Sequence, residues 1–369
     1  MNRLILLATT MLLALAPAPA CRAAESADGG VRHLMYVCLN KTIGVFDIDH
    51  DHKLVKQIPV SGDAVDPGEP KGVKGPGNFG GVCASPITGR IYVSYVPTDE
   101  LICIDLQTDK VLWHRKYGKR VDSQVITPDG RRIYLPCRND GHCYVIDAMT
   151  GDQIAAVETG SHPHNAHANR EGTRVYVESL SDKSLFVIDV ATNKVDTLGP
   201  FTNIIRPFSL AEDEKHVYCC VNGLLGFEVG DIAERKMIAR VEAKTPPERM
   251  AQLGKVGIPH GVPSHGIGLT PDQKEIWVAD GAYGYVDAFD VTVMPPTHVA
   301  TVAIFDDPKE RPEPSWISFS LDGRYCYVPG NAIVDAREKK VVGRMPVSEK
   351  MIEIDFDSGK PVKAASRMW

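Results

Sequence analysis

A stretch at residues 263–280, PSHGIGLTPDQKEIWVAD, recurs along almost the whole chain, and this recurrence restricts the fold more than any other feature of the sequence. A short apolar strand ends in a TPD turn, and a second strand of the form I-W/Y-V follows it. The same plan reads SQVITPDGRRIYLP at 123–136, NAHANREGTRVYVE at 165–178 and GVCASPITGRIYVS at 81–94. With the Pro position of the turn as ruler, copies fall at Pro86, Pro128, Arg170, Glu212, Pro271, Leu321 and Asp357, and the first three intervals are each 42 residues. Repeats of ~40–45 residues built from short strands have the length of one four-stranded propeller blade. Helical repeats of that length would space their apolar residues at ~3.6, whereas the spacing here is two or continuous.

The two ends complement each other. Residues 33–60 match the later copies from their second strand onward, and MIEIDFDSGKP at 351–361 matches only the innermost strand and its turn. Pairing these ends would close a ring and remove the free edges that open sheets expose. The chain is therefore expected to be all-β: a single seven-bladed β-propeller domain over residues 25–369, with residues 351–356 as the closing strand.

Residues 1–24 carry Arg3, an apolar run from Leu4 to Ala16, and small residues around Ala18-Pro19-Ala20. This is the layout of a secretory signal peptide, and its apolar run is too short for a transmembrane helix. The mature protein is expected to be periplasmic or secreted. Cys21 follows Ala20, but Ala18 stands where a lipobox carries Leu, which reads against a lipid anchor. A formal net charge of −6 without a basic block argues against nucleic acid as a partner. The oligomeric state is not legible.

Eight further cysteines follow Cys21. Cys137 and Cys143 flank the hairpin RNDGH, where either a cross-strand bridge or two small apolar side chains would fit. Cys219 and Cys220 should face opposite sides of one sheet. Asp105, Asp147, Asp189 and Asp290 each follow an apolar third strand and are expected to start a turn. Asp47-Asp49-Asp51 resembles the start of a calcium loop, but His52 and Ile58 occupy its glycine and glutamate positions, so it reads as a turn.

The period breaks at 61–78, 242–262 and 293–312, each between an outermost strand and the next innermost one, so one face of the ring is built up. The residue six before each ruler position stands at the channel mouth on that face: Gly80, Asp122, His164, Arg206, His265, Ser315 and Met351. Four consecutive blades thus offer Asp, His, Arg and His. Asn78, Phe79, Ser123, Asn165, Trp316 and Glu353 flank these positions, His142 and Tyr283 sit on loops of the same face, and His260 lies in the long insertion. Polar, water-holding channels are ordinary in propellers; four such groups in register favour a small-molecule ligand site. Asp122, His164 and His265 could hold a divalent metal, with Arg206 clamping a carboxylate. Without a metal, His265 or His164 could serve as general base beside Arg206. His265 is expected at the surface of the mouth, with Gly266 and Gly268 leaving room for a ligand.

The strands RIYV, RVYV and RIYL, the TPDG turns and FVIDVATNKV resemble the YVTN-type propeller repeat, and residues 33–356 are similar to the YncE-like group of exported bacterial propellers. The wider superfamily includes lactonases, virginiamycin-type lyases, haem-d1 binding domains and non-catalytic proteins. That resemblance implies fold more strongly than function. It leaves open a lyase or hydrolase acting on a small anionic or carbohydrate-like substrate, a non-catalytic ligand-binding or protein-interaction propeller, and a tetrapyrrole-handling protein, although no CxxCH haem-attachment motif occurs.

Overall fold

The computed structural model describes residues 30–60, 78–254, 256–258 and 261–365. The leader, Cys21, His260 and residues 61–77 of the first break in the period lie outside the described residues.

Seven antiparallel sheets form the ring of a seven-bladed β-propeller. Numbered by their innermost strands, blade 1 starts at Phe79–Ser85, blade 2 at Val125–Ile126, blade 3 at Pro163–Ala168, blade 4 at Ile205–Leu210, blade 5 at Ile267–Leu269, blade 6 at Ser318–Phe319 and blade 7 at Met351–Asp357. The last of these pairs antiparallel with the N-terminal strand Arg32–Leu39, in a register that sets Tyr36 against Ile352 and Val37 against Met351. The ring is thus closed where the sequence repeat places the closure. A fifth strand, Lys360–Ala364, bonds to the free edge of the closing strand; no repeat unit contains it, so periodicity did not reveal it.

The repeat is a packing device. Its aromatic position in the second strand is Tyr36, Tyr92, Tyr134, Tyr176, Tyr218, Trp277 or Tyr327, each at most 2% exposed. Large aromatic side chains bury extensive area between adjacent sheets, and a polar tip needs a partner when buried. Tyr92 finds one in the carbonyl of Ala148, at 3.0 Å in the following blade. Apolar clusters fill the gaps between neighbouring blades, so alternate residues of each strand serve two different cores. Cys137 belongs to one such cluster and Cys143 to the next. Their strands pair Cys137 with His142, so the two thiols face opposite sides of the sheet and remain free. Cys219 and Cys220 divide between clusters in the expected way.

The turn aspartates behave as read. Asp105 Oδ1 accepts from the amides of Gln107 and Thr108, and Asp147 Oδ1 from those of Met149 and Thr150. Asp47 caps a single helical turn at Ile48–His50 and pairs with Arg32 at 2.9 Å, which leaves the Asp47–Asp51 run a turn.

The insertion at 242–262 contains a feature the strand periodicity did not predict, a helix at Pro247–Leu253. From it Arg249, only 2% exposed, reaches the carbonyls of Tyr283 at 3.1 Å and Glu310 at 2.6 Å, and also that of Pro308. Its guanidinium lies 3.8 Å from the Phe305 ring centroid. One buried cation therefore ties the 242–262 and 293–312 insertions to the loop carrying Tyr283.

Candidate functional site at the channel mouth

Asp122 and His164, which lead into the innermost strands of neighbouring blades, meet. Asp122 Oδ1 lies 2.8 Å from His164 Nδ1, and the residues are 3% and 7% exposed. The other carboxylate oxygen takes Arg138 Nε at 2.8 Å and Nη2 at 2.6 Å. Burial by itself would raise the Asp122 carboxyl; the His164 imidazole and the Arg138 guanidinium outweigh it and hold the group below its ordinary value. Burial holds His164 low despite Asp122. With His164 held below its ordinary value the imidazole is neutral at neutral pH and acts on Asp122 through its hydrogen bond, while Arg138 and Lys350 are the positive charges that favour the ionised carboxylate.

Arg206 makes a related bond two blades on. Its Nε donates to Asn222 Oδ1 at 2.8 Å. Arg138 and Asn222 occupy the same position of the repeat, ten residues after the ruler, so donor and acceptor are exchanged between blades 2 and 4. Between them Glu178 is fully buried, accepting from Asn165 Nδ2 at 2.6 Å. Burial above all, offset in part by Arg206, pushes its carboxyl up to about 8. Glu178 Oε2, Asn165 Oδ1 and Trp316 Nε1 have no hydrogen-bond partner among the described residues.

The residue at the centre of the mouth is Lys350, directly before the Met351 position. Its Nζ donates to Ser123 Oγ at 3.0 Å and sits 4.3 Å from the Trp316 ring centroid, so it touches blades 2 and 6 from the entrance to blade 7. It is 8% exposed, and burial lowers its pKa although Glu349 and Asp122 act in the opposite sense. Among the described residues no carboxylate oxygen lies within 4.0 Å of the Lys350 ammonium or the Arg206 guanidinium.

The other expected site residues divide. Ser123, Asn165 and Trp316 join the cluster. His265 does not stand open at the mouth: it is 6% exposed, its Nδ1 lies 3.1 Å from the Ser315 carbonyl, and its ring is 6.1 Å from that of Trp316. The room beside Gly266 is also taken, because a Cβ there would lie 2.8 Å from Trp316 backbone atoms, and one on Gly268 would lie 3.1 Å from Ile317. These glycines let blades 5 and 6 approach. Asn78 ties the rim by donating to Asn40 Oδ1 at 2.7 Å. His142 Nδ1 lies 2.8 Å from the Asp140 carbonyl within its own hairpin. Tyr283 serves the helical insertion, its hydroxyl 3.3 Å from the Gly254 carbonyl. Met351 and Phe79 are core residues. Glu353 points away from the mouth and accepts the Leu321 amide at 2.7 Å.

The metal set Asp122, His164 and His265 is not assembled. Asp122 and His164 touch, but the three do not gather within 4.8 Å among the described residues, and Arg138 already saturates the outer oxygen of Asp122. Sequence reasoning missed Lys350, Arg138, Glu178 and Asn222. Arg138 and Asn222 had a signal in the repeat, since both fall at one ruler offset; Lys350 had none, because its reach across the channel depends on ring closure.

Fold and mouth together define a seven-bladed β-propeller with buried charged side chains, Asp122, Arg138 and Lys350 among them, at one end of its channel. No protein-family model matches the chain, and no curated protein matches it. Among solved structures it is similar to the dihydro-heme d1 dehydrogenase NirN in complex with DHE, at 13% identity over 93% of this chain and 75% of that one, with a TM-score of 0.60. The β-propeller domain of Cps50 (Swd1) from Myceliophteria thermophila is likewise similar, at 13% identity over 75% of this chain and 88% of that one, with a TM-score of 0.58. At such identities the likeness is one of fold. No helix among the described residues is long and apolar enough to cross a membrane.

Proposed function

We propose that this is an exported propeller that captures a small anionic molecule, bearing a carboxylate or phosphate, at the mouth of its channel. The observation that carries the reading is the Lys350 ammonium, buried beside Trp316 with Ser123 as its only bonded partner among the described residues. An ammonium has three donors, and a buried charge without a counter-ion is costly. An anion seated on Lys350 would relieve that cost. Elimination or hydrolysis at the same place would need a base, and His164, neutral and oriented by Asp122, is the group best placed for it.

Calorimetric titration of the purified protein with phosphate, citrate, a uronate and a 2-keto acid tests the capture. Saturable binding that Lys350→Met weakens at least tenfold supports it; equal affinity in wild type and variant for every anion overturns it. Turnover of lactones, uronides and keto-sugars, abolished in His164→Gln, would add catalysis to binding. A Soret shift on mixing with haem-type ligands, whose propionates are also anionic, would assign the ligand to the tetrapyrroles.

A further inference from the structure

We infer that His33, Glu353 and Asp355 form a site for one divalent transition-metal ion that clamps the closing strand to the N-terminal strand. Glu353 and Asp355 alternate along the closing strand and so share a face, and the pairing register sets Asp355 against His33 and Glu353 against Met35. One imidazole from the start of the described chain and two carboxylates from its end therefore converge.

Their spacing suits a common ion. His33 Nδ1 is 2.9 Å from Asp355 Oδ1 and 3.6 Å from Glu353 Oε1, and all three ligand atoms lie within 4.8 Å of one another. Ligands bound at ~2.1 Å stand ~3.0–3.4 Å apart in octahedral or tetrahedral geometry, so only small side-chain shifts are required. The carboxylates are deeply placed, Glu353 3% and Asp355 5% exposed, whereas the His33 side chain is 36% exposed and leaves an approach from solvent. Glu353 Oε2 is oriented by the Leu321 amide of blade 6, which turns Oε1 toward His33. A further carboxylate, Asp49, accepts the His33 amide at 3.0 Å and adds to the negative field.

One nitrogen and two oxygens suit Zn²⁺ or Mn²⁺ better than Ca²⁺, which takes oxygen ligands. A bound ion would also act on the seam that holds the ring shut, since binding to the folded form alone stabilises it by mass action. This site is independent of the mouth cluster.

Full-length, tag-free protein, stripped with chelator, would be titrated with Zn²⁺ and with Mn²⁺ by calorimetry and followed by thermal melting. The expected result is one equivalent of at least one ion and a melt raised by several degrees, with slower amide exchange across Met351–Asp357. Glu353→Gln and His33→Gln, which keep size and polarity, should each lose at least tenfold in affinity, while His164→Gln at the mouth keeps wild-type affinity. No saturable binding, or affinity unchanged in both the Glu353 and His33 variants, overturns the site. Loss in His164→Gln alone would place the ion at the mouth and overturn it equally.

Discussion

Lys350 Nζ donates to Ser123 Oγ across 3.0 Å, although the two residues are 227 positions apart in the chain. The contact exists only because the last blade closes beside the first, bringing the entrance of blade 7 within a side chain's reach of blade 2. Removing the charge should separate binding from folding. Lys350→Met is expected to lose anion affinity tenfold or more while melting at or above the wild-type temperature. Burying an ammonium without a paired carboxylate costs on the order of 1–3 kcal/mol that methionine does not incur. Titration calorimetry and a thermal melt at neutral pH check both halves; a large fall in the melt would make Lys350 structural.

Glu178 predicts a pH dependence. Its carboxyl is pushed up to about 8 by burial, whereas in the unfolded chain it titrates near ~4.3. Stability from this group is fully present below the unfolded value and drains away as pH rises through the window up to about 8, because only the unfolded chain releases the proton. Glu178→Gln should remove this slope. The variant should match wild type at acidic pH and exceed it at mildly alkaline pH by up to a few kcal/mol, at ~1.4 kcal/mol per unit across the window. Denaturant midpoints of both proteins over that range give the measurement, and parallel curves would contradict the prediction.

His265 packs between the Ser315 carbonyl and the Trp316 ring and is 6% exposed. Truncation to alanine removes a buried hydrogen bond and leaves a gap between blades 5 and 6. The expected cost is ~1–3 kcal/mol rather than the few tenths typical of a surface site. A melt indistinguishable from wild type would return His265 to the open mouth.

Arg249 should control the insertions and leave the ring alone. Arg249→Ala strands the carbonyls of Tyr283, Pro308 and Glu310 and removes the contact with Phe305. Local opening of a peripheral segment costs less than global unfolding. Limited proteolysis should therefore cut within 242–262 and 293–312 much faster in the variant, with the main thermal transition shifted only slightly.

The terminal strands make unequal demands. A chain ending before Lys350 lacks the closing strand and exposes the edge of Arg32–Leu39, so it should aggregate or lose cooperative melting. A chain ending at Gly359 lacks Lys360–Ala364, exposed to partly buried, together with Ala365 of the core and residues 366–369, and should keep the oligomeric state of the full chain and melt cooperatively at a modestly lower temperature. Size-exclusion chromatography with scattering distinguishes the two outcomes.

The architecture was legible in the chain itself because a propeller blade is a local object. Its strands, TPD turns, turn aspartates and aromatic position all lie within one repeat of about 42 residues, and each recurrence reinforces the others. Even the closure at 351–356 could be read, since each end lacked what the other supplied. The same ruler found Asp122 and His164, whose neighbouring blades carry them into contact. It could not tell that Arg138 would engage Asp122, that Trp316 would take the space beside Gly266, or that His265 would be covered, because those outcomes depend on how closely separate blades approach. Lys350 and the His33, Glu353 and Asp355 group depend on the ring as a whole: distance in sequence carries no information about such pairs, and only tertiary packing, by shutting the ring, set them within a few ångströms.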